Sequence, residues 1–217
     1  MKENKCVVVL SGGPDSTVVA YWAKNQGYDV NCISFKYGQI AEKETNQAKL
    51  IADKMGAPIK VIDMASLKDI FMGVTSLCDR NIALTSAFSQ PIVVPFRNAI
   101  FLSIAVSYAA SICAHKIFYG AHGSDAKFYP DCRENFYKAF EKAAQLGTEM
   151  DIQILAPFSG IPKSELLKIG ASLSVPFDLT WSCYLDADKH CGKCESCVNR
   201  KNAFKEAGIA DPTEYAE

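Results

Sequence analysis

Short apolar runs alternate with amphipathic stretches along most of the chain. VVVL (7–10), NCISF (31–35), IKVID (59–63), KIFYG (116–120) and DIQIL (151–155) have strand length and are rich in Val, Ile and Phe. Between them AYWAKNQG, EKETNQAKLIADKMG, AIFLSIAVSYAASICA and ENFYKAFEKAAQLG repeat their apolar positions at helical spacing. Continuous apolar strands separated by helices predict a Rossmann-like, doubly wound α/β fold, a five-stranded parallel sheet covered on both faces. Ligands of such sheets gather at the carboxyl ends of the strands, near the switch point. The segments leaving those ends are SGGPDS, KYGQ, residues 64–97, AHGSDAKFYPDCR and APFSGIPKSE, so the chemistry is expected there. After about Val175 the alternation stops. Residues 176–217 are therefore expected to form a small C-terminal module packed on an α/β domain of residues 1–175.

Composition narrows the classes. The chain has 217 residues, 49% of them hydrophobic and 22% charged, with a net charge of −1; this predicts a globular protein rather than a disordered one. Near-neutrality argues against a partner as highly charged as a long nucleic acid and leaves room for a small anionic substrate. No apolar run reaches the roughly 18 residues of a membrane helix, and MKENKC leads into too short an apolar segment for a signal peptide. A cytoplasmic location is expected. There, nine cysteines point to metal binding or catalysis rather than to disulfides.

The first strand-end segment reads LSGGPDST (Leu10–Thr17). Gly12 and Gly13 permit backbone angles and close approach that a β-carbon obstructs. Successive N–H groups at the start of the following helix then point at an anion, helped by the helix dipole; Ser11, Ser16 and Thr17 add hydroxyls. A glycine turn capped by Asp15 or Ser16 is the plainer reading. The full string resembles the pyrophosphate loop of the N-type ATP pyrophosphatases. That resemblance implies that Leu10, Ser11, Gly12, Gly13, Asp15, Ser16 and Thr17 hold ATP, with Mg2+ accompanying it, and that ATP is split between its α- and β-phosphates. Adenylate chemistry needs a cation where charge develops at the α-phosphate. Lys163 in PFSGIPKSELLKIG opens a helix after the fifth strand; alone it reads as a solvated first-turn lysine, and the resemblance makes it the candidate.

The C-terminal module carries Cys183-x7-Cys191-x2-Cys194-x2-Cys197. Four thiolates at this spacing suit a closed tetrahedral zinc site. A bacterial iron–sulfur run would place a further Cys and a Pro soon after Cys197, where VNRK stands. A saturated site has no open position, so its zinc is expected to hold structure. Arg200 and Lys201 follow within a turn, either presented toward the cleft or on a solvated face.

Two middle strings complete the set. VVPFRNAIFLS places Arg97 and Asn98 at a helix start, and GAHGSDAKFYPDCRENF places Asp125, Tyr129, Asp131 and Arg133 in the fourth strand-end segment. Asp131 or Asp125 can accept two N–H donors from one edge of a guanine-like base, and Tyr129 can stack on it. Arg97 or Arg133 can pair with a carboxylate in a bidentate fork. Helix capping for Asn98 and Asp131 and packing for Tyr129 are the plainer alternatives. Cys132 beside Arg133 is a candidate nucleophile through a lowered pKa, and His122 a candidate base; His115 and His190 read as structural or solvated.

SGGPDST, VPFRN, D-x3-YPDCR and TWSCY…CGKCESC, in this order from about Val7 to Tyr215, resemble the 7-cyano-7-deazaguanine synthase family. The resemblance implies ATP-dependent conversion of 7-carboxy-7-deazaguanine and ammonia to the nitrile precursor of queuosine, zinc on the four cysteines, and a homodimer. Lys163, Asp15, Arg97, Asp125, Asp131 and Arg133 become the expected catalytic set. Phe96 stands where many members have glycine, and His122 also departs from the common pattern; both are expected to reshape the pocket. A relative that stops at the amide, or one that passes the acyl group to an amine of a partner protein, would share these motifs. The remaining alternatives are a tRNA-modifying enzyme of the same loop class and a non-catalytic zinc module.

Overall fold

A computed structural model describes residues 4–123 and 125–216, the side chain of Gln90 excepted. The elements are β1 (Lys5–Val9), α1 (Pro14–Asn25), β2 (Asp29–Lys36), α2 (Lys43–Met55), β3 (Ile59–Asp63), α3 (Lys68–Phe71), α4 (Arg97–Ser111), β4 (Lys116–Tyr119), α5 (Asp125–Phe128), α6 (Glu134–Thr148), β5 (Gln153–Leu155), α7 (Lys163–Ser172) and α8 (Glu195–Ala207). The five strands are all parallel, in the order β3-β2-β1-β4-β5. Strand order reverses at β1, which places a crevice beyond its carboxyl end. All five predicted strands are present. The helix after β1 starts earlier than its apolar periodicity indicates, at Pro14, because a proline at the first helical position is already set for helical φ and has no N–H to leave unpaired.

Alternation along β1 sends Cys6 and Val8 to one face and Val7 to the other. The first face is closed by α1, α2, α7 and α8, through residues such as Val18, Ile51, Leu166 and Phe204. The second is closed by α4 and α6, through Leu102, Ala105, Tyr137 and Ala144. The C-terminal segment thus supplies core to the sheet itself: Ala203, Phe204 and Ala207 of α8 sit in the first cluster. No helix of the described residues is long and apolar enough to cross a membrane.

Arg200 departs from both positions considered for it. Its side chain is 0% exposed and neither faces the cleft nor lies on a solvated helix face. Its Nε donates to both oxygens of Asp211 (3.1 and 3.3 Å), Nη1 to Thr180 Oγ1 (2.7 Å) and Nη2 to the Phe177 carbonyl (3.1 Å). The arginine ties the chain on either side of the cysteines to α8. Arg200→Met leaves Asp211 without its cation and should cost about 3–5 kcal/mol of unfolding free energy. Urea denaturation checks this; an unchanged midpoint would show the pair to be dispensable. Lys201, by contrast, is exposed, donating to the Gly192 carbonyl at 3.1 Å.

Candidate active site

A cleft of about 530 Å3 opens at the carboxyl end of β1, walled by the α1 loop, the ends of β2 and β4, and the starts of α2, α4, α7 and α8. The loop at its floor is held by its own hydroxyls. Ser11 and Ser16 Oγ atoms lie 3.0 Å apart, Ser16 Oγ accepts the Ser11 N–H at 3.1 Å, and Thr17 Oγ1 donates to the Gly13 carbonyl at 2.7 Å. Gly12 has φ +91°, and a β-carbon there would lie 2.2 Å from the Glu44 carbonyl oxygen; only glycine allows the loop to touch α2. Its carbonyl accepts the Trp181 N–H at 2.9 Å. Gly13 precedes Pro14 with no side-chain cap on α1, so the first-turn N–H groups are open to an anion. Leu10, Ser11, Gly13, Asp15 and Ser16 border the cleft, and Gly12 and Thr17 support the loop from behind.

Lys163, the first residue of α7, reaches across to Asp15. Nζ lies 2.8 Å from Asp15 Oδ2, the two side chains being 20% and 22% exposed. Burial works to raise the Asp15 carboxyl, but Lys163 and then His122 outweigh it and hold it below its ordinary range. On the β4 side, Asp125 Oδ2 accepts the His122 N–H at 3.0 Å and its Oδ1 lies 3.4 Å from His122 Nε2. Burial pushes Asp125 up, against the opposing pull of His122.

The start of α4 forms the next wall. Arg97 Nη1 donates to the Tyr37 hydroxyl at 3.1 Å and its guanidinium lies 5.9 Å from the Phe101 ring centre. Burial alone would lower Arg97, but Tyr37 and Glu44 more than offset it, so it stays charged. Asp131 Oδ2 accepts the Asn98 N–H at 3.0 Å, which gives α4 its missing cap. Of the two arginines considered, Arg97 lines the cleft; Arg133 is exposed and donates from Nε to the Ala126 carbonyl at 2.9 Å.

Two readings of this region change. A short 3-10 turn, Pro130–Cys132, turns the Cys132 thiol inward and leaves Arg133 outside. Burial, then Asp125 and Asp131, push that thiol up to about 12, the opposite of an activated nucleophile. Phe96 has the left-handed φ of 56° that glycine adopts freely, and its 64%-exposed ring lies in an apolar groove beside the cleft, edge-on to Phe136. The ring therefore lies outside the main cleft, and the backbone before Arg97 keeps a conformation open to glycine. His190 is buried and structural: burial draws it down to about 4, and neutral Nε2 accepts the Ser182 N–H at 3.0 Å.

The sequence reading missed Tyr37, Glu44 and the cleft-facing side of α8, with Glu195, Ser196, Asn199 and Asn202. Tyr37 lies in the KYGQ segment, the available signal; Glu44 reads as one more charge on an amphipathic helix.

The Sγ atoms of Cys183, Cys191, Cys194 and Cys197 all lie within 4.8 Å of one another. A tetrahedral ion with bonds of about 2.3 Å places its thiolates about 3.8 Å apart, close to the 3.9 Å between Cys191 and Cys197. The N–H groups of Leu185 and Cys191 point at Cys183 Sγ, and that of Cys194 at Cys191 Sγ, suiting sulfurs that carry negative charge. The donor set fits a metal ion of zinc's geometry.

A parallel sheet of this order, with a Ser-Gly-Gly-x-Asp-Ser loop at its switch point and a lysine facing the loop, defines the class of ATP pyrophosphatases of the PP-loop type. Two solved structures share the fold: the NMN synthetase of Francisella tularensis (TM-score 0.55, 15% identity, 96% of this chain and 78% of that one) and the NH3-dependent NAD synthetase of Campylobacter jejuni (TM-score 0.53, 17% identity, 82% and 68%). Residues 5–208 match the model of the family described as "Queuosine biosynthesis protein QueC", and the chain belongs to that family. It is 41% identical over 214 residues to the 7-cyano-7-deazaguanine synthase of Caldicellulosiruptor saccharolyticus, covering 97% of this chain and 95% of that one. To the Thermoplasma acidophilum enzyme of the same name it is 41% identical over 226 residues, covering 99% and 93%.

Proposed function

We infer that this chain is an ATP-dependent carbon–nitrogen ligase that turns 7-carboxy-7-deazaguanine and ammonia into 7-cyano-7-deazaguanine, for queuosine-type deazapurine synthesis. The observation that carries this is the nearly full-length family match, joined to an intact phosphate loop that faces Lys163 across the cleft. The relatives' shared name disfavours an amide-forming, protein-modifying or tRNA-modifying activity.

The chemistry follows from what each group can do. The loop's N–H groups and hydroxyls hold the β- and γ-phosphates, and Mg2+ accompanies ATP. The substrate carboxylate, oriented by Arg97, attacks the α-phosphorus, and pyrophosphate leaves. Lys163, oriented by Asp15, meets the charge that builds on the α-phosphate oxygens. Ammonia then attacks the acyl carbon, AMP departs with one carboxylate oxygen, and a proton is lost to give the amide. The amide oxygen attacks the α-phosphorus of a second ATP and expels a second pyrophosphate; AMP then leaves with the remaining oxygen, the nitrogen loses its protons, and the nitrile forms. Asp125 orients His122, and Asp131 fixes the start of α4. Arg133, exposed and bonded to the Ala126 carbonyl, takes no part in this scheme.

Zinc on the four cysteines is structural in this reading, since four thiolates leave no position for water. The nine cysteines, none of them in a disulfide among the described residues, fit a reducing cytoplasm. The homodimer rests on the family resemblance, and light scattering tests it. Ammonia is taken from solution or from a donor protein. The test of function is mass spectrometry of the product from carboxylate, ATP and ammonium. The nitrile is expected, with pyrophosphate released in twofold excess over it. Amide as the final product, or no pyrophosphate, would overturn the reading.

A further inference from the structure

The acids of the cleft differ in what they are already doing. Asp15 pairs with Lys163, Asp125 accepts the His122 N–H, Asp131 accepts the Asn98 N–H, and Glu195 accepts from the Tyr184 hydroxyl and Asn199 Nδ2. Glu44 and Glu206 have no such partner among the described residues, and of the two Glu206 is exposed while Glu44 is half-buried. Glu44 lies in the first turn of α2, where its carbonyl meets Gly12 and sets the helix against the phosphate loop. Its half-buried carboxylate lines the cleft, and among the described residues it has no hydrogen-bond or ion-pair partner, Arg97 being bonded instead to Tyr37. Burial pushes Glu44 up to about 7, with Arg97 opposing. A desolvated carboxylate with both oxygens open is held there at a cost unless a ligand supplies donors.

The walls around it suit a flat base. Phe35, Tyr37 and Phe101 border the same cleft, with Arg97 lying against the Tyr37 and Phe101 rings. An ionised carboxylate only accepts hydrogen bonds. A guanine-type ring offers it two adjacent donors, the ring N1–H and the 2-amino group. Adenine offers an amino group beside a ring lone pair, which a carboxylate repels. The positive group that lines the same cleft and can meet the carboxylate of a 7-carboxylated ring is Arg97.

We propose that Glu44 is the residue that recognises the N1–H and 2-amino edge of the deazaguanine substrate, with Arg97 holding its 7-carboxylate. The proposal rests on the function inferred above and deepens it. Its test measures pyrophosphate release by the wild type, Glu44→Gln and Glu44→Asp, with the 7-carboxy-7-deazaguanine and with its analogue lacking the 2-amino group. The wild type should prefer the amino compound. Glu44→Gln turns an amide N–H toward a ring N–H, so kcat/KM for the amino compound should fall at least about 100-fold. The preference over the analogue should shrink to a few-fold, the KM for ATP should stay within about twofold, and Glu44→Asp should recover part of the loss.

If Glu44→Gln keeps the wild-type preference, the proposal fails. It also fails if the loss falls on the KM for ATP, which would assign Glu44 to the ribose hydroxyls. A wild-type protein that turns over neither compound would instead overturn the functional inference, and the proposal with it.

Discussion

Lys163→Ala should slow pyrophosphate release by about 100- to 1000-fold, the range found when a preorganised electrostatic contact to a developing charge is removed, and should change the KM for ATP much less. The reason lies in how the lysine is held. Its Nζ sits 2.8 Å from Asp15 Oδ2, at the first turn of α1, whose first N–H groups are open to an anion. A lysine tethered this way is fixed in place before the charge at the α-phosphate grows, so its contribution is concentrated in the transition state. Asp15 Oδ1 is buried without a hydrogen-bond partner, so removing the lysine also strips the one ion pair of this carboxylate. A melting curve of the variant separates that structural effect from the catalytic one. Lys163→Arg, which keeps the charge, should retain more turnover than the alanine. An unchanged turnover with only a raised KM would remove Lys163 from the chemistry.

Cys194→Ser should lose the metal, lower the melting temperature and abolish activity together. The four Sγ atoms lie within 4.8 Å of one another, and a hydroxyl is too hard and too basic to replace a thiolate on zinc. Metal binding supplies on the order of 10 kcal/mol to small zinc-bound modules, comparable with the whole stability of a domain. The activity loss has a direct cause. Cys194 is the residue before α8, and Glu195, Ser196 and Asn199 on that helix are part of the cleft wall. Elemental analysis of the wild type should give one zinc per chain. Iron in its place, or full activity after metal removal, would contradict the structural assignment.

The fold was readable because its central strand β1 is buried on both faces and so appears as an unbroken apolar run, while the helices keep their own period. The cysteine tetrad was readable because its ligands are local: three of the four lie within seven residues. Other parts of the site depend on neighbours distant in sequence. Arg200 shows only a basic residue on a polar helix, and its burial follows from Asp211, Thr180 and Phe177 closing around it. For Cys132, adjacency in sequence stood in for adjacency in space. The turn at Pro130–Cys132 sends Arg133 outward and leaves the thiol among carboxylates. Glu44 carries no motif, and its place is set by the contact of α2 with Gly12.

The order in which the chain is made gives α8 a further significance. Ala203, Phe204 and Ala207 complete a core whose other buried members, from Cys6 to Phe177, are all translated earlier. The part of that sheet face covered by α8 therefore stays open on the nascent chain until α8 has cleared the ribosome, at about 5–20 residues per second. A frameshift or early stop near residue 195 would remove only Ala203, Phe204 and Ala207 from this cluster, yet would strip Phe177 of the Phe204 ring that meets it edge-on. Such a product would be a substrate for chaperones and proteases rather than a weakened enzyme.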